Sequence, residues 1–125
     1  MILEDKNILI IDDIYEDAKK VSNYLEIQLS KSVSISIDCI IDQNSISGIK
    51  EVDLIIFDIN FKNGKWIEII STIRLYHRNT PLIIFTNQVD QYYKKLCNLM
   101  GVHSFMDKTT QIEQLPGVIR QILLN

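Results

Sequence analysis

Residues 54–60, Leu54-Ile55-Ile56-Phe57-Asp58-Ile59-Asn60, run four apolar side chains straight into a carboxylate. An apolar run without alternation suits a strand covered on both faces, as parallel sheets are, so Asp58 falls where that strand leaves the sheet. Outward from it, four more runs rich in β-branched residues read as strands: Asn7 to Ile11, Val33 to Ile37, Leu82 to Phe85 and His103 to Met106.

Helical patterns fill the gaps. Glu16 and Asp17 suit a helix N-terminus, and Ala18, Val21, Leu25 and Leu29 form one apolar stripe behind them. Trp66, Ile69, Ile70 and Ile73 form a second stripe, and Leu96, Leu99 and Met100 are expected to anchor a helix that Gly101 ends. Pro116 is favoured at the first position of a helix, which predicts a turn over 110–114 and a helix over 116–124. The stretch 42–52 has room only for a shortened second helix. Five βα repeats imply right-handed crossovers and a doubly wound, five-stranded parallel sheet of the (βα)5 type.

Composition narrows the function. The 125 residues fit one domain, 1–125, and the 46% apolar and 23% charged content is that of a globular chain. A net charge of −3 with scattered Lys and Arg excludes a basic face for direct nucleic-acid binding. No run approaches membrane-spanning length, and the acidic start MILEDK is unlike a secretory signal, so a cytoplasmic chain with no membrane insertion is expected. Cys39 and Cys97 lack metal-ligand spacing and read as two buried thiols.

Ligands of doubly wound sheets bind beyond the carboxyl ends of the strands, which selects the residues there. They are Asp12 and Asp13, Asp58, Thr86 and, shortly after the fifth strand, Lys108. Three gathered carboxylates repel unless a hard cation offsets them, and Mg²⁺ is the expected cofactor. A lysine and a hydroxyl beside them suit an incoming phosphoryl group, and attack by a carboxylate oxygen would give an acyl phosphate.

The stretches ILIIDD, LIIFDIN, PLIIFTN and FMDK, in this order, resemble the signature stretches of response-regulator receiver domains, of the chemotaxis-type stand-alone kind. The resemblance spans nearly the whole chain and implies the flavodoxin-like receiver fold. It implies metal-site residues Asp12, Asp13, Asp58 and Asn60, with Asp13 a direct ligand and Asn60 offering its backbone carbonyl. It makes Asp58 the phosphoacceptor, with Thr86 and Lys108 contacting the phosphoryl group. Thr86 and Phe105 become the switch pair. Implied partners are a sensor histidine kinase or phosphotransfer protein and a downstream protein, met through the fourth helix, fifth strand and fifth helix, where Tyr92, Tyr93 and Lys95 fall; a homodimer is a further implied partner. On this reading the chain is no enzyme beyond catalysing its own aspartyl phosphorylation and dephosphorylation.

The chain departs from that pattern at named positions. Lys62 replaces a usual proline and Trp66 a usual glycine, which predicts a differently shaped loop after Asp58. Asn87 stands where a very small residue is preferred, narrowing access for small phosphodonors. Thr109 replaces a proline normally joined through a cis bond; a cis bond before a non-proline costs roughly 3 kcal/mol, so a trans linkage is expected. Phe105 lacks the hydroxyl of the commoner tyrosine. These departures motivate a second reading, a degenerate receiver docking without phosphorylation. A third, a phosphatase with a nucleophilic aspartate, rests on Asp58-Ile59-Asn60 and lacks a second aspartate.

Plainer roles compete with each of these. Asp13 before a helix suits an N-cap, Lys108 a solvated lysine, Thr86 a strand end, and Asn63-Gly64 a turn. Trp66, Tyr92 and Tyr93 at helical spacing suit core and rim packing, and His77 and His103 stand isolated.

Overall fold

A computed structural model describes residues 5–29, 33–39, 45–46, 51–61 and 64–124. In chain order they form β1 (Lys6–Ile11), α1 (Tyr15–Gln28), β2 (Val33–Asp38), β3 (Leu54–Phe57), α2 (Trp66–Tyr76), β4 (Leu82–Thr86), α3 (Gln91–Leu99), β5 (Ser104–Asp107), a 3₁₀ turn (Ile112–Gln114) and α4 (Leu115–Leu123). The strands make one parallel sheet in the order β2-β1-β3-β4-β5. The expected short helix between β2 and β3 falls on residues of which only Ser45 and Ile46 are described, both helical. Lys62 and Asn63 also lie outside the described residues.

Period-two alternation along the strands divides the core into two layers. Ile8 and Ile10, Leu54 and Ile56, and Ile83 and Phe85 pack with Ala18, Val21 and Leu25 of α1 and Leu115 and Ile119 of α4. Leu9 and Ile11, Ile55 and Phe57, and Leu82 and Ile84 pack with Trp66, Ile69, Ile70 and Ile73 of α2 and Cys97 of α3. Each fully buried Ile or Leu contributes roughly 1.5–3 kcal/mol, so the two layers supply most of the driving force for the fold.

Three expectations need correction. β2 is not apolar throughout: Ser34 and Ser36 are exposed between Val33 and two half-buried isoleucines, because β2 is an edge strand with one covered face. Leu99 does not anchor α3; it is 84% exposed, and the buried residue of that helix is Cys97. Leu96 and Met100, the other two residues of the predicted stripe, do pack against the core beside Cys97. Cys39, expected to be buried, is only partly so, because it leaves the edge strand β2. Helix α4 starts one residue early, with Pro116 in its first turn, and Gly101 takes a φ of 76°, a conformation that suits glycine, just past α3.

Candidate functional site

Register brings the polar residues together. Ile11 lies opposite Phe57 in the β1–β3 pair, so Asp12 and Asp58 are the next residues out on adjacent strands. Thr86 ends β4 opposite Asp107, and Lys108 follows, its N–H donating to the Thr86 carbonyl at 2.9 Å. Asp12 and Asp58 continue the alternation of Ile10 and Ile56, so both fall on the α1 side of the sheet.

The site is buried and closed on itself. Asp12, Asp58 and Thr86 are all buried, Thr86 completely. Lys108 Nζ donates to Asp12 Oδ2 and to Asp58 Oδ2, each at 3.0 Å. Asp58 Oδ1 accepts from Thr86 Oγ1 at 2.7 Å and from the Asn60 N–H at 2.9 Å. Asp12 Oδ1 accepts from the Ile14 N–H at 2.9 Å. Beneath lies a small void lined by Ile10, Val21, Ile56 and Phe85.

Charge follows from this geometry. Burial pushes the Asp12 carboxyl above its ordinary value, against the pull of the Ile14 N–H and of Lys108; the charge of Asp58 adds to the rise. Burial pulls the Lys108 ammonium down, but the charge and hydrogen bonds of Asp58 and Asp12 outweigh it, and the group ends above its ordinary value.

Of the predicted residues, Asp12, Asp58, Thr86 and Lys108 converge. Asp13 does not complete a cluster of three: among the described residues no three acidic or other ligand side chains are gathered for a metal. Asp12 and Asp58 form a pair closed on Lys108, and Asp13 lies half-buried next in the chain, in the turn into α1. The Asp12 carboxylate takes the N–H of Ile14, the residue just before that helix, whose own side chain supplies no cap. Asn60 is exposed, and its N–H, not its side chain, touches Asp58. A hard divalent cation fits the donors present: two buried carboxylates against one ammonium leave a net negative charge, and every donor is an oxygen.

Phe105 is half-buried at the rim of the α2–α3 layer, with Lys94 Nζ 6.0 Å from its ring centroid. Trp66 is buried and meets the Tyr93 ring edge-on at 5.7 Å, whereas Tyr92 is 67% exposed. Trp66 and Tyr93 are thus core and rim, leaving Tyr92 and Lys95 for solvent. No peptide bond among the described residues is cis, so Thr109 follows Lys108 through a trans linkage.

Sequence reading missed three contacts. Asp90 caps α3 by accepting the Tyr93 N–H at 3.0 Å, a role signalled by an Asp just before a helical run. Arg74 ties together the carbonyls of His77, Thr80 and Gly101. Thr109 and Asn87, the two departures flanking the site, bond to each other.

A doubly wound sheet with an acid pair, a threonine and a lysine at its carboxyl edge defines a class of α/β domains with a polar strand-end site. Within that class, the family described as the response regulator receiver domain matches residues 8–120, and the chain belongs to that family. A search of curated protein sequences returned no match. Among solved structures, the chain is similar to a signal receiver domain of two-component signal transduction from Clostridium thermocellum, at 22% identity, covering 95% of this chain and 98% of that one, with a TM-score of 0.83. It is likewise similar to the receiver domain of a DNA-binding response regulator from Colwellia psychrerythraea (20% identity, 97% and 100% covered, TM-score 0.84). A third is a response regulator from Burkholderia pseudomallei solved with a phosphorylated aspartic acid and a calcium ion (17%, 94% and 66%, TM-score 0.76). At these identities the likeness is one of fold.

Proposed function

We propose that the chain accepts a phosphoryl group on Asp58 from a sensor histidine kinase or a phosphotransfer protein, and passes the signal on by protein contact. The observation that carries this reading is the convergence on Asp58 of Thr86 and Lys108, a hydroxyl and an ammonium bonded to different oxygens of one buried carboxylate. An Asp58 oxygen attacks phosphorus as the phosphorus–nitrogen bond of a phosphohistidine breaks; the imidazole keeps the electron pair, and an acyl phosphate results. Lys108 holds a fixed positive charge where the transferred oxygens arrive, and the Thr86 hydroxyl turns from the carboxylate to one of them. Phe105, at the rim, is placed to pack into the space Thr86 leaves.

Asp12, Asp13, Asp58 and the Asn60 carbonyl would hold Mg²⁺, which when bound supplies positive charge against the phosphoryl oxygens. The similar response regulator solved with a phosphorylated aspartic acid and a calcium ion supports a divalent cation here. The reaction is self-modification, with no separate substrate turned over. Output passes through α3, β5 and α4, where exposed Tyr92 and Lys95 lie, toward a partner protein or a second copy. No helix among the described residues is long and apolar enough to cross a membrane.

Amide chemical shifts with Mg²⁺ and beryllofluoride, a stand-in for the phosphoryl group, test this reading. Mg²⁺-dependent shifts at Thr86, Phe105 and Lys108 are expected, and none in Asp58→Asn. An unmoved spectrum in the unaltered chain would sink the acceptor role and leave a docking module that works without phosphorylation.

A further inference from the structure

Asn87 and Thr109 directly follow Thr86 and Lys108, and their side chains meet: Thr109 Oγ1 donates to Asn87 Oδ1 at 2.7 Å. Both residues are exposed, so the bond spans the outer lip of the site rather than its floor. Each of the two turns also carries a hydrogen bond of its own. The Thr109 N–H donates to Asp107 Oδ1 at 2.9 Å, and the Gln88 N–H donates to Thr86 Oγ1 at 3.2 Å. The hydroxyl that donates to Asp58 therefore belongs to a turn whose next residue is tied to the loop of the site lysine.

We propose that the Asn87–Thr109 hydrogen bond is a latch across the mouth of the acidic site, which slows the uptake of a phosphoryl group from a small donor by holding the turn after Thr86 against the turn after Lys108. The inference rests on Asp58 as acceptor and specifies how that site is regulated. Asp58 Oδ1 accepts from Thr86 and from the Asn60 N–H, and phosphoryl transfer asks the Thr86 hydroxyl to leave that oxygen for one on the incoming group. Moving the Thr86 hydroxyl drags the Gln88 N–H with it and pulls on Asn87. A hydrogen bond weakens steeply with distance and angle, so this one resists as a catch, holding fully until it opens.

The test is the rate at which phosphoramidate, with Mg²⁺, labels Asp58, followed by intact mass. Thr109→Val keeps the volume and removes the hydroxyl; Asn87→Ala removes the acceptor and opens space. Each is expected to label about threefold faster, the fold-change of one exposed hydrogen bond. The double variant should label no faster than either, and Thr109→Ser should keep the unaltered rate, because both singles break one bond. Acceleration in Asn87→Ala alone would overturn the latch, since bulk would then be the obstruction; so would additive singles. Equal rates in every variant would remove the latch and leave the acceptor standing. Absence of label on the unaltered chain would remove both.

Discussion

At the carboxyl edge of the sheet Lys108 bonds two carboxylates, Asp12 and Asp58, each at 3.0 Å. At the amino edge Arg74 bonds three backbone carbonyls: those of His77 at 3.2 Å and Thr80 at 2.8 Å through Nη1, and that of Gly101 at 2.9 Å through Nη2. Both cations join loops far apart in sequence. They differ in what they hold. A carbonyl keeps its partial charge at any pH and in any signalling state, so the hold of Arg74 is constant. A carboxylate loses its charge on protonation and redistributes it on phosphorylation, so the hold of Lys108 is conditional. One end of the sheet is clamped and the other can change.

The sharpest way to break that comparison is Lys108→Met. Labelling of Asp58 by a small phosphodonor should fall by about two orders of magnitude, the usual cost of removing one group that stabilises transferred charge. The fold should remain, as reported by circular dichroism. The same variant tests pH dependence. Because Lys108 is raised in the folded state, its contribution to stability is complete below its ordinary pKa of 10.5 and fades as pH climbs through the higher folded value. Denaturation midpoints of the unaltered chain should therefore converge on those of the variant at alkaline pH. A constant gap would mean that the ion pairs are not what Lys108 contributes.

Arg74→Ala should have the next largest effect, a loss of about 2 kcal/mol in chemical denaturation, because three carbonyls lose a charged donor. Arg74→Lys should restore little, since an ammonium lacks the planar fork that reaches all three. The beryllofluoride response should survive in both. If it vanished, the two edges would be coupled and the clamp would belong to the switch.

The smallest effect separates the two thiols. Burial pushes the Cys97 thiol up to about 11, whereas Cys39 is partly exposed among the acidic residues that follow β1 and β2. With a thiol-reactive disulfide at mildly alkaline pH, Cys39 should react first and Cys97 only as the chain unfolds. Equal rates would mean that α3 opens readily on the layer it covers.

Apolar runs and strand-end acids made the sheet and most of the site legible in the sequence. Each buried strand declares itself locally, and the residue that follows it is then placed by geometry. The inward face of α3 was partly legible: Leu96 and Met100 pack inward as expected, whereas Leu99 and Cys97 are both apolar and only the folded helix shows that Cys97 is the buried one. The Lys108 bridge between Asp12 and Asp58 was hidden for a related reason. Sequence gives each carboxylate a strand end but not the direction of its side chain, and Lys108 occupies the space between two of them. Arg74 could not be found at all from spacing, because its partners are backbone carbonyls, which every residue has.

The register of β1 on β3 carries a consequence for how this chain tolerates changes in length. Ile11 faces Phe57, and the two acids stand one step beyond. Adding or deleting a single residue inside either strand would exchange the two covered faces and carry its acid from the α1 side of the sheet to the α2 side. In the loops 77–81 and 100–103, which enter β4 and β5 at the opposite edge, an insertion leaves every strand in phase and every acid in place but disturbs the carbonyls that Arg74 holds. Changes of length there should therefore cost stability while sparing Asp58.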